Sequence, residues 1–473
     1  MSLTRSIAIN TFIQIFSRII GTIFAAVTLG LLTRYLGQEG FGAFTIATTF
    51  PQLFGIMADF GLSLIAIQMI SENKQNSVRT YHAITTLRVV TAFIAIVLAP
   101  IASLFFPYPP IIKLGIAIIS ISIFLSSLNQ MLTVQFQVNL AMTKPMIAEI
   151  ASKVLLIGGI IVAIALRVDL IFILWLVVVQ NLLQVIIVLF SSIRYCPPRL
   201  VWDMPLFRTI LQRSWPIGIS ILFTLIYLKM DTIILSLYHS QSAVGIYGGA
   251  YRVFEVLNTL PAMFMGLALA SFSRTWSEGD TKTFKRYFQK SFDFMMMAAI
   301  PLMIGTPFIA RPLMTLALGK EFEDAGDVLR ILILTAGIAF FTSLVGHLIN
   351  VINKQKQMIL GYFAGMVIGL GAYFATIPSF SYWGAAWTTT LTHLFISCVG
   401  FLVFYRATKI LPTFHGTKRI VLAVLCMALF LAVTGFLPVL IRIVGATSLY
   451  FLALILFGII PKSLVRSFTH TAS

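Results

Sequence analysis

About fourteen apolar stretches, each long enough to cross a lipid bilayer, dominate this sequence. A membrane-spanning helix needs about 20 apolar residues, because each residue rises about 1.5 Å through about 30 Å of hydrocarbon. The predicted spans are 8–32, 42–70, 84–106, 111–134, 148–167, 170–193, 214–237, 246–273, 289–310, 329–352, 358–377, 383–405, 419–439 and 446–465. Of the 473 residues, 59% are hydrophobic and 10% are charged, too few charges to cover a soluble protein. The sequence therefore predicts an all-α integral membrane protein.

The basic residues of the chain lie mainly on one side of the predicted membrane. The net charge is +18, yet the loops on one side hold 22 Lys and Arg residues and the loops on the other side hold seven. This positive-inside bias places both termini in the cytoplasm. We expect a retained first span, because it contains Arg18 and is too long for a signal peptide. The distribution of the basic residues thus indicates the membrane topology, and we expect no nucleic-acid partner.

The cysteines indicate neither a disulfide framework nor a metal site. Cys196, Cys398 and Cys426 lie in or beside predicted spans, without a CxxC motif or a histidine at ligand spacing. We interpret all three as small apolar residues and expect no bound metal.

The chain contains a weak internal repeat with an offset of 203 residues. It is visible in LLTRYLGQEGFGAF, residues 31–44, and ILSLYHSQSAVGIY, residues 234–247. The matching pairs are Leu32 with Leu235, Tyr35 with Tyr238, Gln38 with Gln241, Gly42 with Gly245, and Phe44 with Tyr247. Six spans separate the two copies, so the halves have parallel topology around an axis along the membrane normal. The last two spans lie outside the repeat.

Several longer stretches resemble one transporter superfamily. They are TRYLGQEGFGAF, ADFGLSLIAIQMIS, MDTIILSLYHSQSAVGIYGGAYRVFEVL, LALGKEFEDAGDVLRILIL and NKQKQMILGYFAGMVIGL. The chain resembles the polysaccharide exporters, including O-antigen repeat-unit flippases, of the multidrug, oligosaccharidyl-lipid and polysaccharide exporter superfamily. The resemblance implies a fold like that of the multidrug and toxin extrusion (MATE) transporters, with two six-helix bundles around a central cavity. It also implies a bacterial or archaeal cytoplasmic (inner) membrane.

The resemblance and the predicted spans together divide the chain into four parts. We expect an N-terminal six-helix bundle at 1–193, a cytoplasmic linker at 194–213 and a C-terminal bundle at 214–405. Two additional helices occupy 406–473.

Charged residues inside the predicted spans are the candidate functional residues, because a charge in the bilayer is costly and is normally hidden in a bundle or cavity. These residues are Arg18, Asp59, Arg88, Lys229, Asp231, Arg252 and Glu255. We expect Arg88 to extend to the cytoplasmic surface. Asp59 either interrupts its helix at ADFG or pairs with Arg18. Arg252 and Glu255 are spaced to pair on one helix face.

Lys229 and Asp231 lie in LIYLKMDTIILSLY, an otherwise apolar segment. Two residues correspond to about 200° of rotation on a helix, so these side chains enter different environments. In one arrangement Lys229 faces the cavity and Asp231 pairs with Arg252.

The resemblance implies a flippase that moves an undecaprenyl-diphosphate-linked oligosaccharide outward by alternating access. Arg18, Lys229 and Arg252 would bind the diphosphate, because charge-assisted hydrogen bonds are strongest at low dielectric constant. No organic cofactor is expected, and coupling to H⁺ or Na⁺ would use Asp59, Asp231 or Glu255. Membrane lipids, and a polysaccharide polymerase and glycosyltransferases, are the expected partners.

Three other functions remain open from the sequence. Lipid II flippases share the pattern of Ser17, Arg18 and Gly21 but continue with Arg-Asp where this chain has Phe24 and Ala25. Cation-coupled multidrug antiporters rely on acidic sites. A membrane-embedded glycosyltransferase or polymerase would need catalytic acids, for which the best segment is GKEFEDAG with Asp327. We expect a transporter, with no catalytic residue.

Overall fold

The computed structural model describes residues 3–72, 75–414 and 416–459 of the chain, and their side chains apart from those of 3–16, Met57 and Ser71. Lys74, Lys462 and Arg466, which contribute to the predicted charge bias, lie outside the described residues, as does the side chain of Arg5. The end of the last predicted span also lies outside them.

The described residues form thirteen α-helices and a short 3₁₀ turn at Lys320–Phe322. The helices are α1 (Leu3–Asp59), α2 (Leu62–Glu72), α3 (Ser77–Leu104), α4 (Pro110–Val138), α5 (Thr143–Leu166), α6 (Leu170–Ser192), α7 (Met204–Tyr238), α8 (Gln241–Ser277), α9 (Thr281–Leu318), α10 (Ala325–Val351), α11 (Gln355–Thr408), α12 (Thr417–Val433) and α13 (Val439–Leu456). The predicted all-α fold is confirmed.

Two of these helices are bent: α11 contains two predicted spans, and α1 contains the first span and most of the second. Gly37 in α1 has φ 64° and Ser381 in α11 has φ 51°, both outside the helical region. Among the described residues, eleven helices are long and apolar enough to cross a membrane. The bends divide two of them, and α12 has only 17 residues. Each of the fourteen predicted spans therefore overlaps a helical segment.

The second predicted span is interrupted where α1 ends and α2 begins. Phe60 has φ 39° and Gly61 has φ 78°, so two successive residues adopt the left-handed conformation. A Cβ atom on Gly61 would lie 3.3 Å from the carbonyl oxygen of Ser214 and 3.0 Å from Ile217. Glycine at this position therefore permits both the backbone conformation and the close approach of α7. Of the two alternatives for Asp59, the interruption of the helix is confirmed.

One compact unit comprises residues 1–248 and 370–385. Its apolar core includes Ile65, Tyr81 and Met131 where α2, α3 and α4 meet. Phe136 and Val188 belong to a second cluster among α4, α5 and α6. In α2 the buried positions Leu62, Ile65 and Ala66 are spaced i, i+3 and i+4, so this helix contributes one buried stripe.

The two copies of the repeat contact each other within this unit. A Cβ atom on Gly42 would overlap the carbonyl oxygen of Gln241, and one on Gly245 would overlap that of Gln38. Ser242 Oγ donates a hydrogen bond of 2.6 Å to Gln38 Oε1. Because Gly42 and Gly245 occupy equivalent repeat positions, this reciprocal contact is what a local twofold axis between the copies produces. Glycine is required on both sides for the backbones to approach so closely.

The segment after α6 is held against α3 by polar contacts. Val201 N donates to Thr86 Oγ1 at 2.8 Å, and Arg79 pairs with Asp203 at 2.6 Å. Asp203 also caps α7 by accepting from Leu206 N at 3.2 Å. The predicted linker 194–213 is therefore only partly irregular, because α7 begins at Met204.

A second attachment of the same segment involves titratable groups. Arg213 donates to Glu72 at 2.8 Å and lowers the pKa of that carboxyl. Cys196 Sγ lies 3.5 Å from His82 Nε2, and burial raises the pKa of the Cys196 thiol. A raised thiol pKa lowers the fraction of reactive thiolate at this cysteine.

The other compact unit comprises residues 249–369 and 386–473. In its core, the rings of Phe288 on α9 and Phe404 on α11 stack with centroids 5.0 Å apart. The two additional helices pack on α9, where Tyr450 Oη donates to the carbonyl of Met297 at 2.8 Å. Arg442 Nη2 donates to the carbonyl of Phe308 at 3.1 Å. The predicted boundaries of the two bundles, at 193 and 214, stay a prediction.

Candidate functional site

A buried ionic network surrounds the interruption between α1 and α2. Arg88 on α3 is only 1% exposed, and its Nη1 atom pairs with Asp59 Oδ1. Arg88 Nε donates to Ser127 at 2.7 Å, and Nη2 donates to Gln130 Oε1 at 2.9 Å. Ser63 Oγ accepts from Arg88 Nη1 at 3.1 Å. All three guanidinium nitrogens are thus engaged, which is how a buried arginine becomes tolerable.

The carboxylate of Asp59 also completes the start of α2. Its Oδ1 atom accepts from Ser63 N at 3.3 Å and from Ser63 Oγ at 2.9 Å. An acidic group beside a helix N-terminus is favoured by the unpaired N–H groups there. The Asp59 side chain is 25% exposed, whereas that of Arg88 is buried. Asp59 is therefore the ionic group through which another molecule could reach this network.

The expectation that Arg88 extends to the cytoplasmic surface is wrong. The side chain points into the unit because α4 offers Ser127 and Gln130, and α1 offers the carboxylate of Asp59. Asp59 pairs with Arg88 instead of Arg18. A buried pair with additional hydrogen bonds avoids exposing either charge to lipid.

Asp231 on α7 lies in a second polar cluster of the same unit. It is fully buried, and its Oδ2 atom accepts a hydrogen bond of 2.6 Å from Tyr247 Oη. Thr232 Oγ1 donates to Asp231 Oδ1 at 3.1 Å. Tyr247 lies on α8, so this hydrogen bond joins the ends of two successive helices.

Lys229 lies two residues before Asp231 and differs from it in exposure. The Lys229 side chain is half-buried, whereas Asp231 has no exposed surface. This difference agrees with the expected 200° rotation between the two positions. Lys229 therefore has the greater access to a ligand.

The predicted ion pair between Arg252 and Glu255, three residues apart on α8, is present. Arg252 Nη1 lies 2.9 Å from Glu255 Oε2, and the two side chains are 33% and 30% exposed. Pairs at this spacing stabilise a helix by only about 0.2–0.5 kcal/mol. Because both side chains are partly exposed, a polar group of another molecule could contact this pair.

Arg18 lies on α1 with an exposed side chain. Beside it, Ser17 Oγ donates to Glu149 Oε2 at 3.0 Å, and Lys153 pairs with Glu149 at 2.8 Å. A Cβ atom on Gly21 would lie 2.6 Å from Lys153 Nζ. The Ser17, Arg18 and Gly21 pattern thus borders a polar contact between α1 and α5.

The predicted site residues are divided between the two units. Arg18, Asp59, Lys229 and Asp231 belong to the first unit, and Arg252 and Glu255 belong to the second. Within the first unit, Asp59 and Asp231 form separate clusters with separate partners. Their assignment to substrate binding or ion coupling stays a prediction.

Several hydrogen-bonding partners of these charges were missed from the sequence. Ser127 and Gln130 accept from Arg88, and Tyr247 donates to Asp231. The available signals were the polar stretch SSLNQ at 126–130 within an apolar span, and the extra hydroxyl of Tyr247 relative to Phe44 in the repeat.

The acidic segment considered for catalysis is occupied by ion pairs. Asp327 Oδ2 lies 2.6 Å from Arg311 Nη2, and Asp327 Oδ1 lies 2.7 Å from Arg330 Nη1. A carboxylate held by two arginines is a poor general acid or base, because its protonated form is strongly disfavoured. Among the described residues, no group of three or more His, Cys, Asp or Glu side chains is placed to hold a metal ion.

The fold is shared with solved membrane transporters. A structure of the lipid II flippase MurJ in an inward closed conformation superposes with a TM-score of 0.76, covering 97% of this chain and 100% of that one at 18% identity. An inward-facing multidrug resistance MATE transporter of the MOP superfamily superposes with a TM-score of 0.68, covering 84% of this chain and 98% of that one at 14% identity. A MOP superfamily transporter from Pyrococcus furiosus superposes with a TM-score of 0.56, covering 83% of this chain and 95% of that one at 13% identity. No protein sequence of curated function matches this chain.

These likenesses and the apolar helices define the class: a multi-pass membrane protein with a fold like that of the solved MurJ and MATE transporters. The model of the family described as "Polysaccharide biosynthesis protein" matches residues 31–327, more than half of the chain. The chain therefore belongs to this family of polysaccharide biosynthesis proteins.

Proposed function

We propose that the protein is a flippase that moves a lipid-linked oligosaccharide from the cytoplasmic to the extracytoplasmic leaflet for surface polysaccharide synthesis. The observation that carries the proposal is the family match over residues 31–327, within a chain of transporter fold. The substrate class is an undecaprenyl-diphosphate-linked repeat unit, and the mechanism is alternating access. The membrane is the cytoplasmic (inner) membrane, with both termini in the cytoplasm.

The diphosphate of such a substrate requires cationic partners away from bulk water. Lys229 is half-buried within α7, Arg18 is exposed on α1, and Arg252 is one-third exposed. Each of these side chains keeps accessible surface, whereas Arg88 is enclosed by its own partners. Arg18, Lys229 and Arg252 are therefore the proposed diphosphate ligands, and Arg88 is a positioning residue for Asp59.

Two energy sources are compatible with the proposed flippase, and only one of them uses the acids of these helices. Asp231 is enclosed and hydrogen-bonded to Tyr247, and Asp59 is partly exposed and ion-paired. An H⁺- or Na⁺-coupled flippase would use Asp59, Asp231 or Glu255. An equilibrating flippase, driven by a polymerase and glycosyltransferases that supply and consume the repeat unit, would need none. Imposing H⁺ and Na⁺ gradients on reconstituted vesicles distinguishes the two, since only the coupled flippase accelerates.

The direct test is reconstitution of the purified chain into vesicles containing a fluorescent undecaprenyl-diphosphate oligosaccharide. A membrane-impermeant enzyme that cleaves the glycan should reach inner-leaflet substrate faster in these vesicles than in protein-free vesicles. Parallel vesicles contain lipid II or a cationic drug, the substrates of the alternative functions. Transport of lipid II or of the drug, with no movement of the oligosaccharide, would overturn the proposal.

Lys229 provides the residue-level test. Lys229→Ala should sharply reduce glycan transport without changing membrane abundance, and Lys229→Arg should keep part of the activity because the charge remains. Lys356→Ala, which removes an exposed lysine at the start of α11, is the matched control. If Lys229 is structural, Lys229→Ala should lower protein abundance. A second substitution, Asp231→Ala, should then restore both abundance and transport. Full transport by well-expressed Lys229→Ala would remove Lys229 from the substrate site.

A further inference from the structure

A pocket of about 450 Å³ opens between α9, the start of α12 and the segment that follows α13, away from the intramembrane charges discussed above. Its lining includes Lys290, Asp293, Phe294, Met297, Gly416 and Arg419. The four residues from α9 recur at positions i, i+3, i+4 and i+7, so they form one face of that helix. The pocket lies entirely within the second unit.

The pocket is charged at one end and apolar at the other. Lys290 and Arg419 are exposed cations at the beginnings of the predicted spans 289–310 and 419–439. Phe294 and Met297 follow one and two turns further along α9, and Phe294 is 43% exposed. The ring of Phe264 stacks on that of Phe294 with centroids 4.1 Å apart, which holds it in place. This order matches a phospholipid, whose phosphate lies at the interface and whose acyl chains lie deeper.

The start of α12 is an unusual place for cations. Its first turn contains Lys418 and Arg419 and no acidic residue, and Gly416 supplies no side-chain cap. The unpaired N–H groups at a helix N-terminus favour anions and disfavour cations. Basic residues at this position are therefore consistent with a bound anion that both they and the N–H groups would contact.

The pocket wall is held by a reciprocal hydrogen-bonded pair. Gln289 Oε1 accepts from Thr413 N at 2.7 Å, and Gln289 Nε2 donates to the carbonyl of Thr413 at 2.8 Å. Gln289 Nε2 also donates to Asp293 Oδ1 at 2.8 Å. One carboxylate oxygen of Asp293 is thereby hydrogen-bonded. Lys290 and Arg419 carry two positive charges against the single negative charge of Asp293, so the pocket has a net charge of +1.

We propose that this pocket binds the phosphodiester of an anionic phospholipid of the cytoplasmic leaflet, with Lys290 and Arg419 contacting the phosphate and Phe294 and Met297 contacting an acyl chain. Basic pockets between helices on the cytoplasmic side are suited to such headgroups. The bound lipid would brace the two additional helices against α9. The proposal concerns a resident lipid and is independent of the transported substrate.

The test measures lipid binding by the full-length purified protein in detergent. Native mass spectrometry counts bound phosphatidylglycerol and, in a parallel titration, bound phosphatidylcholine. The wild type should bind one phosphatidylglycerol in preference to phosphatidylcholine. Lys290→Gln/Arg419→Gln should weaken that binding about tenfold or more, because two charge-assisted contacts are lost.

The matched control is Lys285→Gln/Arg406→Gln. It removes one lysine and one arginine, both exposed and predicted to be cytoplasmic, and neither lines the pocket. Its phosphatidylglycerol affinity should stay within about twofold of the wild type, since distant surface charges are screened. Equal loss in the two double variants would overturn the site, because binding would then follow net charge alone.

A third variant keeps the test independent of misfolding. Asp293→Asn preserves the acceptor for Gln289 and removes the negative charge, so phosphatidylglycerol affinity should rise about two- to fivefold. An unchanged or reduced affinity would contradict the proposed phosphate position. If undecaprenyl phosphate binds this pocket and phosphatidylglycerol does not, the phospholipid assignment is wrong. Each of these results is obtained without a transport assay, so it is separable from the proposed flippase function.

Discussion

Replacement of Arg88 by methionine should destabilise the protein by about 3–5 kcal/mol, because it leaves the Asp59 carboxylate in the network without its cation. Hydrogen bonds between membrane helices contribute only about 0.6 kcal/mol each, so loss of the bonds to Ser63, Ser127 and Gln130 would cost about 2 kcal/mol. The unpaired charge is therefore the larger effect. Arg88 is 1% exposed and Asp59 is 25% exposed, so solvent relieves little of that cost.

The matched control lies about two and a half helix turns away on α3. Arg79→Met removes an arginine that pairs with Asp203 at 2.6 Å, but the Arg79 side chain is 62% exposed. Exposed pairs contribute about 0–1 kcal/mol. The two substitutions on one helix thus differ mainly in burial, and their expected costs differ severalfold.

The assay is equilibrium unfolding of the full-length protein in mixed micelles with increasing mole fraction of sodium dodecyl sulfate. Asp59→Asn and the double variant Arg88→Met/Asp59→Asn complete a double-mutant cycle. The double variant should be more stable than the sum of the single effects by about 2 kcal/mol or more, since neither charge is then left alone. An Arg88→Met variant within about 1 kcal/mol of the wild type, or a cycle without coupling, would refute the reasoning.

Three further predictions concern the repeat, the topology and α8. Gly42→Ala should lower protein abundance, because the added Cβ clashes with backbone atoms. The control Gly266→Ala, whose added Cβ meets nothing within 4 Å, should be neutral or stabilising. Equal abundance of the two variants would contradict the repeat contact. Single cysteines in 274–288 should resist membrane-impermeant thiol reagents in intact cells, and labelling there would reverse the predicted orientation. Arg252→Gln and Glu255→Gln should each change stability by less than about 1 kcal/mol in the unfolding assay, and a larger loss would mean that the pair is structural.

Apolar length was sufficient to predict the long apolar helices. Each predicted span overlaps a helical segment, because a backbone in lipid must satisfy its own hydrogen bonds and a helix does this locally. The repeat was also visible, since Gly42 and Gly245 occupy equivalent positions in two copies of one turn. The start of α7 was not predicted, because the helix begins at Met204, ten residues before the apolar pattern does.

The partners of the intramembrane charges were decided by tertiary structure. The spacing of Arg252 and Glu255 predicts their pair, because both lie on one helix. Arg88 meets Asp59 across 29 positions of sequence and Gln130 across 42, distances over which no local rule operates. The left-handed residues Phe60 and Gly61 turn the chain so that Asp59 faces α3. Sequence alone therefore determined which segments are apolar enough to cross a membrane. Helix packing determined which charges neutralise one another, because pairing depends on contacts between helices distant in the chain.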